Sequence, residues 1–161
     1  MVGVGGCLPA RLVSNDELAK TVDTSDEWIQ QRTGIKQRYL VEDERTSDLA
    51  VGAAKEALEH AGISADDIDI IVLATTTPND TFPSTASIVQ KELGAFNAFA
   101  FDVQAVCAGF VYALGVAESL LKIGQGKKAL VIGAESFSKL LDWDDRTTCV
   151  LFGDGAGAVI R

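Results

Sequence analysis

The pattern of apolar and polar positions alternates between helix-like and strand-like segments along most of the chain. Apolar residues recur at helical spacing from Ser47 to Ala61, and Gly62 follows where a helix would stop. The runs 68–77 and 129–134 are nearly all apolar and rich in β-branched residues, which is typical of strands covered on both faces. This alternation predicts an α/β fold with central parallel strands.

Capping residues predict two short helices before that long one. Ser14 and Glu17 have the S-x-x-E spacing of a capping box, and Thr24 and Glu27 have the T-x-x-E equivalent. In a capping box the side chains and backbone N–H groups of the first turn satisfy each other. We therefore expect one helix to begin after Ser14 and another after Thr24.

The second half of the chain continues the α/β alternation. The pattern predicts a helix over 83–94, a strand over 99–103 and a last pair of strands joined by the glycines of 153–157. A glycine run can also cradle a phosphate, but this one precedes an apolar strand-like segment rather than a helix. A tight turn between strands is the better interpretation.

Composition excludes several classes of function. The 161 residues, 47% hydrophobic, are enough for one domain over 1–161, and the net charge of −9 disfavours a nucleic-acid surface. The three cysteines (Cys7, Cys107 and Cys149) are far apart, unlike a disulfide framework or a metal site, so no metal is expected. No apolar run has the length of a membrane span and no basic start of a signal peptide is present, which predicts a cytoplasmic protein without membrane contact.

Cys107 lies where a predicted strand turns directly into a long apolar helix. No Ser, Thr, Asp or Asn stands immediately before that helix to accept from its unpaired N–H groups. These groups and the helix dipole would stabilise a thiolate, which would make Cys107 a nucleophile suited to acyl transfer. The alternative is a small buried hydrophobic residue, the commoner fate of a cysteine in apolar sequence. The helix itself, almost without polar residues over 108–115, is expected to be buried on all sides.

Trp28 and Arg32 form a second candidate site, because residues four apart lie on one face of a helix. An indole can stack on a base, and a guanidinium can bind phosphate. A core tryptophan beside a solvated arginine would give the same spacing. The only histidine, His60, ends a helix that looks exposed, beside Glu56 and Glu59, and this position explains it structurally.

Four motifs, DTSDEWIQQRTGI, TFPSTA, DVQAVCAGFVYAL and FGDGAGAVI, resemble the N-terminal half of the β-ketoacyl-[acyl-carrier-protein] synthase III family over essentially the whole chain. The resemblance implies a thiolase-like fold, in which one βαβαβαββ half packs with a second into five αβαβα layers. The chain ends at Arg161 within a core-like segment, so we expect it to be the first half, with the C-terminal half absent.

The resemblance also implies roles for particular residues. Cys107 would accept the acyl group, and Thr24, Trp28, Arg32 and Arg146 would bind CoA. In addition, Phe82 would lie on a loop that reaches across a dimer interface towards the partner's acyl pocket, whereas its sequence alone indicates an ordinary loop residue. The family's catalytic histidine and asparagine belong to the second half and match no residue of 1–161.

The implied reaction begins fatty-acid synthesis. An acyl-CoA, which the resemblance implies is acetyl-CoA, acylates Cys107, and malonyl-[acyl-carrier-protein] then condenses with the acyl group as it loses CO2. Acyl-CoA is a substrate here, and no cofactor is expected; the partners would be the carrier protein and a second copy of the enzyme. Two alternatives remain: a condensing enzyme of secondary metabolism, of polyketide or quinolone type, and a non-catalytic half that dimerises.

Overall fold

The computed structural model describes residues 2–161, in which strands and helices alternate as predicted. Within these residues the strands are β1 (Gly3–Cys7), β2 (Arg11–Ser14), β3 (Gln37–Leu40), β4 (Ile70–Ala74), β5 (Phe99–Val103), β6 (Ala129–Glu135) and β7 (Gly155–Ile160). The α-helices are α1 (Asn15–Leu18), α2 (Asp26–Thr33), α3 (Thr46–Ala61), α4 (Thr85–Leu93) and α5 (Gly109–Lys122). Short 3-10 helices span Ala65–Asp67, Val106–Ala108, Phe137–Leu140 and Cys149–Leu151.

Five of the strands form one sheet in the order β1-β7-β6-β4-β5. Strand β4 is parallel to both β5 and β6, whereas β7 runs antiparallel to β6 and β1. With α3, α4 and α5 in the connections, the unit reads βαβαβαββ, and this prediction is confirmed. Strands β2 and β3 pair separately as an antiparallel ribbon.

Helices cover both faces of the sheet because alternate residues of a strand point to opposite sides. Ile71 and Leu73 of β4 pack in one cluster with residues of α3 and α4. Ile70 and Val72 pack on the other face with Ala113 of α5 and its neighbours. All of β4 is buried, as the uninterrupted apolar run predicts.

Strand β1 has no clear signal in the sequence, because its glycines hide the strand pattern. They are required by the close approach of α3. A Cβ atom on Gly3 would lie 2.3 Å from the carbonyl oxygen of Ala57, and one on Gly5 would lie 2.3 Å from that of Ala53. The glycines thus allow an edge strand to rest directly on a helix backbone.

Two local predictions are wrong in detail. Ser14 caps α1 as expected, but α2 is capped by Ser25, whose hydroxyl accepts from the backbone N–H of Trp28 at 3.1 Å. Ser25 has the extended backbone of a cap residue, so the helix begins one residue later than Thr24 predicts. The segment 149–160 contains one strand rather than two, because residues 149–151 form a 3-10 helix before β7.

The prediction that the 108–115 segment is buried on all sides is also wrong for the described residues. Gly109, Ala113 and Ala117 face the sheet and are buried, whereas Val111 and Tyr112 are 65% and 60% exposed. The sheet covers only one side of α5, since the connections of the unit place α3 and α4 on the opposite face. No helix among residues 2–161 combines the length and apolarity needed to cross a membrane.

Candidate active site

Cys107 lies at the junction between β5 and α5, within the short 3-10 helix 106–108. Its side chain is exposed, and no side chain caps either the 3-10 helix or α5. The preceding residue, Val106, has φ +46°, a left-handed conformation that a β-branched residue rarely adopts. Such strain is typical of functional sites, and here it turns the chain sharply at the candidate nucleophile.

Cys107 opens onto a cavity of about 300 Å³ at the carboxyl ends of β4 and β6. Ligands of α/β proteins commonly bind at this edge of the sheet. A Cβ atom on Gly133 would lie 3.3 Å from the ring of Phe110, so the glycine leaves room for that ring beside the cysteine. The other lining residues are Ala74, Val106, Ala134, Glu135 and the 155–157 segment.

Glu135 is the one carboxylate that lines this cavity. It accepts hydrogen bonds from the backbone N–H of Thr76 at 2.8 Å and from the hydroxyl of Thr77. These bonds attach the loop after β4 to the end of β6. Because β6 and β4 are neighbours in the sheet, the carboxylate keeps the rim of the cavity in one arrangement.

The other two cysteines lack comparable features. Burial, together with the negative charges of Glu56 and Glu44, raises the pKa of the Cys7 thiol. Burial and Asp145 raise the pKa of Cys149 as well, although Arg38 opposes this, and Cys149 is fully buried. Since the thiolate is the reactive form, both residues are poor nucleophiles at neutral pH.

Trp28, Arg32 and Arg146 come together as a cluster, which we call the Trp28 cluster. The Arg32 guanidinium carbon lies 4.3 Å from the centre of the Trp28 ring, and that of Arg146 lies 4.6 Å from it. Both distances are within the range of cation–π contacts. Arg146 also forms an ion pair with Asp23 at 3.2 Å, and the Thr24 hydroxyl is buried without a hydrogen-bond partner among the described residues.

The structure does not bring all predicted site residues into one cavity. Neither the Trp28 cluster nor Phe82 lines the Cys107 cavity, and Phe82 is 83% exposed on the loop before α4. His60 lies in the last turn of α3, where its Nδ1 is 3.2 Å from both the backbone nitrogen and the carbonyl oxygen of Val4 in the edge strand β1. This contact supports a structural role for His60.

A second groove, of about 400 Å³, lies between the β2–β3 ribbon and Trp143, away from Cys107. Part of its charged rim is already engaged, because Arg11 forms an ion pair with Glu17 at 3.1 Å and Lys139 donates to the backbone carbonyl of Glu44. Nothing in this groove resembles the chemistry of the Cys107 site.

Sequence reasoning missed several residues of the Cys107 cavity, including Glu135 and the 155–157 glycine segment. The chain offers no local signal for them, because they are distant from Cys107 in sequence and reach it only through strand pairing. The strained conformation of Val106 was equally hidden, since valine is ordinarily a strand residue.

The βαβαβαββ unit with its strand-to-helix cysteine defines a thiolase-like α/β protein. The solved 3-oxoacyl-[acyl-carrier-protein] synthase III from Aquifex aeolicus VF5 superposes with a TM-score of 0.96 and 53% identity, over 99% of this chain and 52% of that one. The priming β-ketosynthase from the R1128 polyketide pathway superposes with a TM-score of 0.95 and 41% identity, over 99% of this chain and 48% of that one.

Sequence relatives point to the same kind of protein. Residues 101–160 match the family described as 3-Oxoacyl-[acyl-carrier-protein (ACP)] synthase III. The chain is 62% identical, over 99% of its length, to the β-ketoacyl-[acyl-carrier-protein] synthase III of Ehrlichia canis strain Jake, of which it covers 50%. The chain is similar to members of this family over nearly its whole length, and it spans about half the length of the curated relatives it matches.

Proposed function

We propose that the protein containing this chain is an acyltransferase that starts fatty-acid synthesis by condensing an acyl-CoA with malonyl-[acyl-carrier-protein]. The observation that carries the proposal is the exposed Cys107, held at an uncapped helix start beside a cavity of about 300 Å³. Cys7 and Cys149 are less suited to this role, because burial raises their pKa values.

In the first step, the Cys107 sulfur bonds to the acyl carbonyl carbon while the bond between that carbon and the CoA sulfur breaks. The thiol proton leaves with CoA. In the second step, the malonyl thioester loses CO2, and the electron pair of the broken bond attacks the acyl carbon. Cys107 departs and regains a proton, and the product is a 3-oxoacyl thioester on the carrier protein.

The Trp28 cluster would bind the nucleotide end of CoA. The indole provides a stacking surface for adenine, and Arg32 and Arg146 provide positive charge for phosphates in a chain whose net charge is −9. Thr24 lies close in sequence and completes the proposed CoA site. In this proposal acyl-CoA is a substrate, and the enzyme needs no cofactor.

We place the enzyme in the cytoplasm as a homodimer, with the exposed Phe82 loop directed to the acyl pocket of the partner. Phe82 is 83% exposed, which leaves its ring accessible for such a contact. A second candidate function is priming of polyketide synthesis, which the 41% identity to the R1128 priming β-ketosynthase favours. The two functions differ in the acyl group and carrier protein that the enzyme accepts.

The test is to incubate the full-length protein with acetyl-CoA and to locate the acetyl group by peptide mass spectrometry. We expect one acetyl group on Cys107, none in the Cys107→Ala variant, and unchanged labelling in Cys7→Ala. Malonyl-[acyl-carrier-protein] should then discharge the group as a 3-oxoacyl product, whereas a polyketide enzyme should prefer its own carrier protein. Acetylation of Cys7 or Cys149 instead would overturn the assignment of Cys107.

A further inference from the structure

A buried arginine binds Val150, which packs in one cluster with Trp28. Arg38 of β3 is only 4% exposed, and its side chain points into the protein rather than to solvent. One nitrogen, Nη2, donates both to the side-chain oxygen of Asn15 at 2.9 Å and to the backbone carbonyl of Val150 at 3.2 Å. A single guanidinium group therefore bridges two segments that are 135 residues apart (150 − 15).

The first of these segments leads to α2. Asn15 is 1% exposed, and its amide group donates to the carboxylate of Asp26 at 2.8 Å and to the backbone carbonyl of Ile35 at 2.7 Å. Asp26 is the first residue of α2, and its second oxygen accepts from Gln30 at 2.6 Å. Asn15 thus contacts both the start of α2 and the chain that follows it. That helix carries Trp28 and Arg32.

The second segment leads to Arg146. Val150 lies in the 3-10 helix 149–151, and the backbone N–H of Cys149 donates to the carbonyl oxygen of Asp145 at 3.0 Å. Arg146 is the next residue after Asp145, so the turn that carries it is attached to the carbonyl bound by Arg38. Gly153 lies close to Arg38, because a Cβ atom on it would be only 3.2 Å from the Cβ of Arg38.

A role in stability alone explains this arrangement poorly. The partners of Arg38 are a neutral amide and a backbone carbonyl, and burial lowers the pKa of the guanidinium. Burying a charge without an opposite charge is costly, and apolar residues of similar volume often serve stability as well or better. What Nη2 offers instead is a fixed geometry between two segments, because it donates to both, whereas Nε and Nη1 have no hydrogen-bond partner among the described residues.

We propose that Arg38 is a positioning residue that sets the spacing between Trp28 and Arg146, and thereby the affinity for the nucleotide end of acyl-CoA. The inference rests on the proposed function, since it assumes that the Trp28 cluster binds this end of the substrate. Arg38 does not touch the reacting atoms and acts only through Asn15, α2 and the 145–150 turn. It should therefore affect binding of substrates that contain the nucleotide and spare those that lack it.

The experiment compares two acyl donors in the full-length protein, acetyl-CoA and acetyl-pantetheine, which lacks the nucleotide. Arg38→Met preserves the bulk of the side chain and removes the donors, while Arg38→Lys retains one flexible donor. For Arg38→Met we expect KM for acetyl-CoA to rise about tenfold, with acylation of Cys107 by acetyl-pantetheine within about twofold of wild type. For Arg38→Lys we expect a KM for acetyl-CoA between those of wild type and Arg38→Met.

A matched control is Asp69→Ala, which also removes two hydrogen bonds, those from the backbone N–H groups of Lys127 and Lys128. These residues precede β4 and β6, at the end of the sheet opposite the Cys107 cavity. Asp69→Ala should lower the unfolding temperature without changing the ratio of the two KM values. If Arg38→Met does not fold, the ratio of KM for acetyl-CoA to KM for acetyl-pantetheine is measured in Arg38→Lys and in Asn15→Ala instead. An unchanged ratio, or an equal loss with both donors, overturns the proposal. Failure of wild type to be acylated by either donor would instead overturn the proposed function.

Discussion

Replacing Trp28 by alanine should weaken CoA binding and also destabilise the fold, as two effects that can be measured separately. The ring is partly buried against a small cluster with Ile29 and Val150, and two guanidinium groups lie over it at 4.3 and 4.6 Å. Each cation–π contact contributes about 0.5–1 kcal/mol at exposed sites, so the pair accounts for about 1–2 kcal/mol of the free energy of unfolding. Loss of the partly buried ring adds to this.

The effect on CoA affinity is separate from that loss. Stacking of a base on an aromatic side chain is worth about 1–3 kcal/mol, which corresponds to a loss of roughly 5- to 150-fold in affinity. Arg146 already covers part of the ring, so it has to move before a base can stack there. Its other contact, an ion pair with Asp23 whose side chain is 98% exposed, opposes this movement only weakly.

Isothermal titration with CoA and urea unfolding measure the two effects independently. Trp143→Ala is the matched control, because Trp143 is partly buried in the same cluster and its indole N–H donates to the Ser138 carbonyl, yet no guanidinium covers it among the described contacts. Trp28→Phe should retain part of the affinity. Equal CoA affinity in the Trp28→Ala and Trp143→Ala variants, with only stability reduced, would show that Trp28 is a core residue.

Two further predictions concern the fold. The Arg161 guanidinium beside Glu118, with help from Lys122, lowers the pKa of that carboxyl from 4.5 to about 2. Because the folded-state pKa of Glu118 is depressed, the stabilisation by this ion pair is present above pH 4.5 and is lost as the pH falls towards 2. The urea midpoint should therefore drop less steeply over this pH range in Glu118→Gln than in wild type. Gly5→Ala should destabilise the protein by about 1–3 kcal/mol or prevent folding, because its Cβ would meet the α3 backbone. Gly6→Ala, whose Cβ would lie 3.7 Å from its nearest neighbour, should unfold at nearly the wild-type temperature in a thermal scan. A similar loss of stability in Gly5→Ala and Gly6→Ala would refute the close-approach argument.

Local patterns predicted much of the secondary structure correctly. Helix α3 runs from Thr46 to Ala61 and stops at Gly62, whose φ of 65° is readily adopted by glycine. The apolar run 68–77 contains β4, which pairs in parallel with β5 on one side and β6 on the other. The cap of α2 was misplaced by one residue, because Thr24 and Ser25 are both good caps and only the backbone conformation separates them. The roles of Cys107 and the Trp28 cluster remain predictions.

The sequence by itself determined the α/β alternation, the ends of the main helices and the position of Cys107 at a strand-to-helix junction, because these depend on residues close together in the chain. Only the tertiary structure decided that Glu135 lines the cavity of Cys107 and that Arg38 bridges Asn15 and Val150. It also decided that one face of α5 is exposed in the described residues. Hydrophobic periodicity reports how apolar a face is, whereas strand order and packing determine which distant segment covers it.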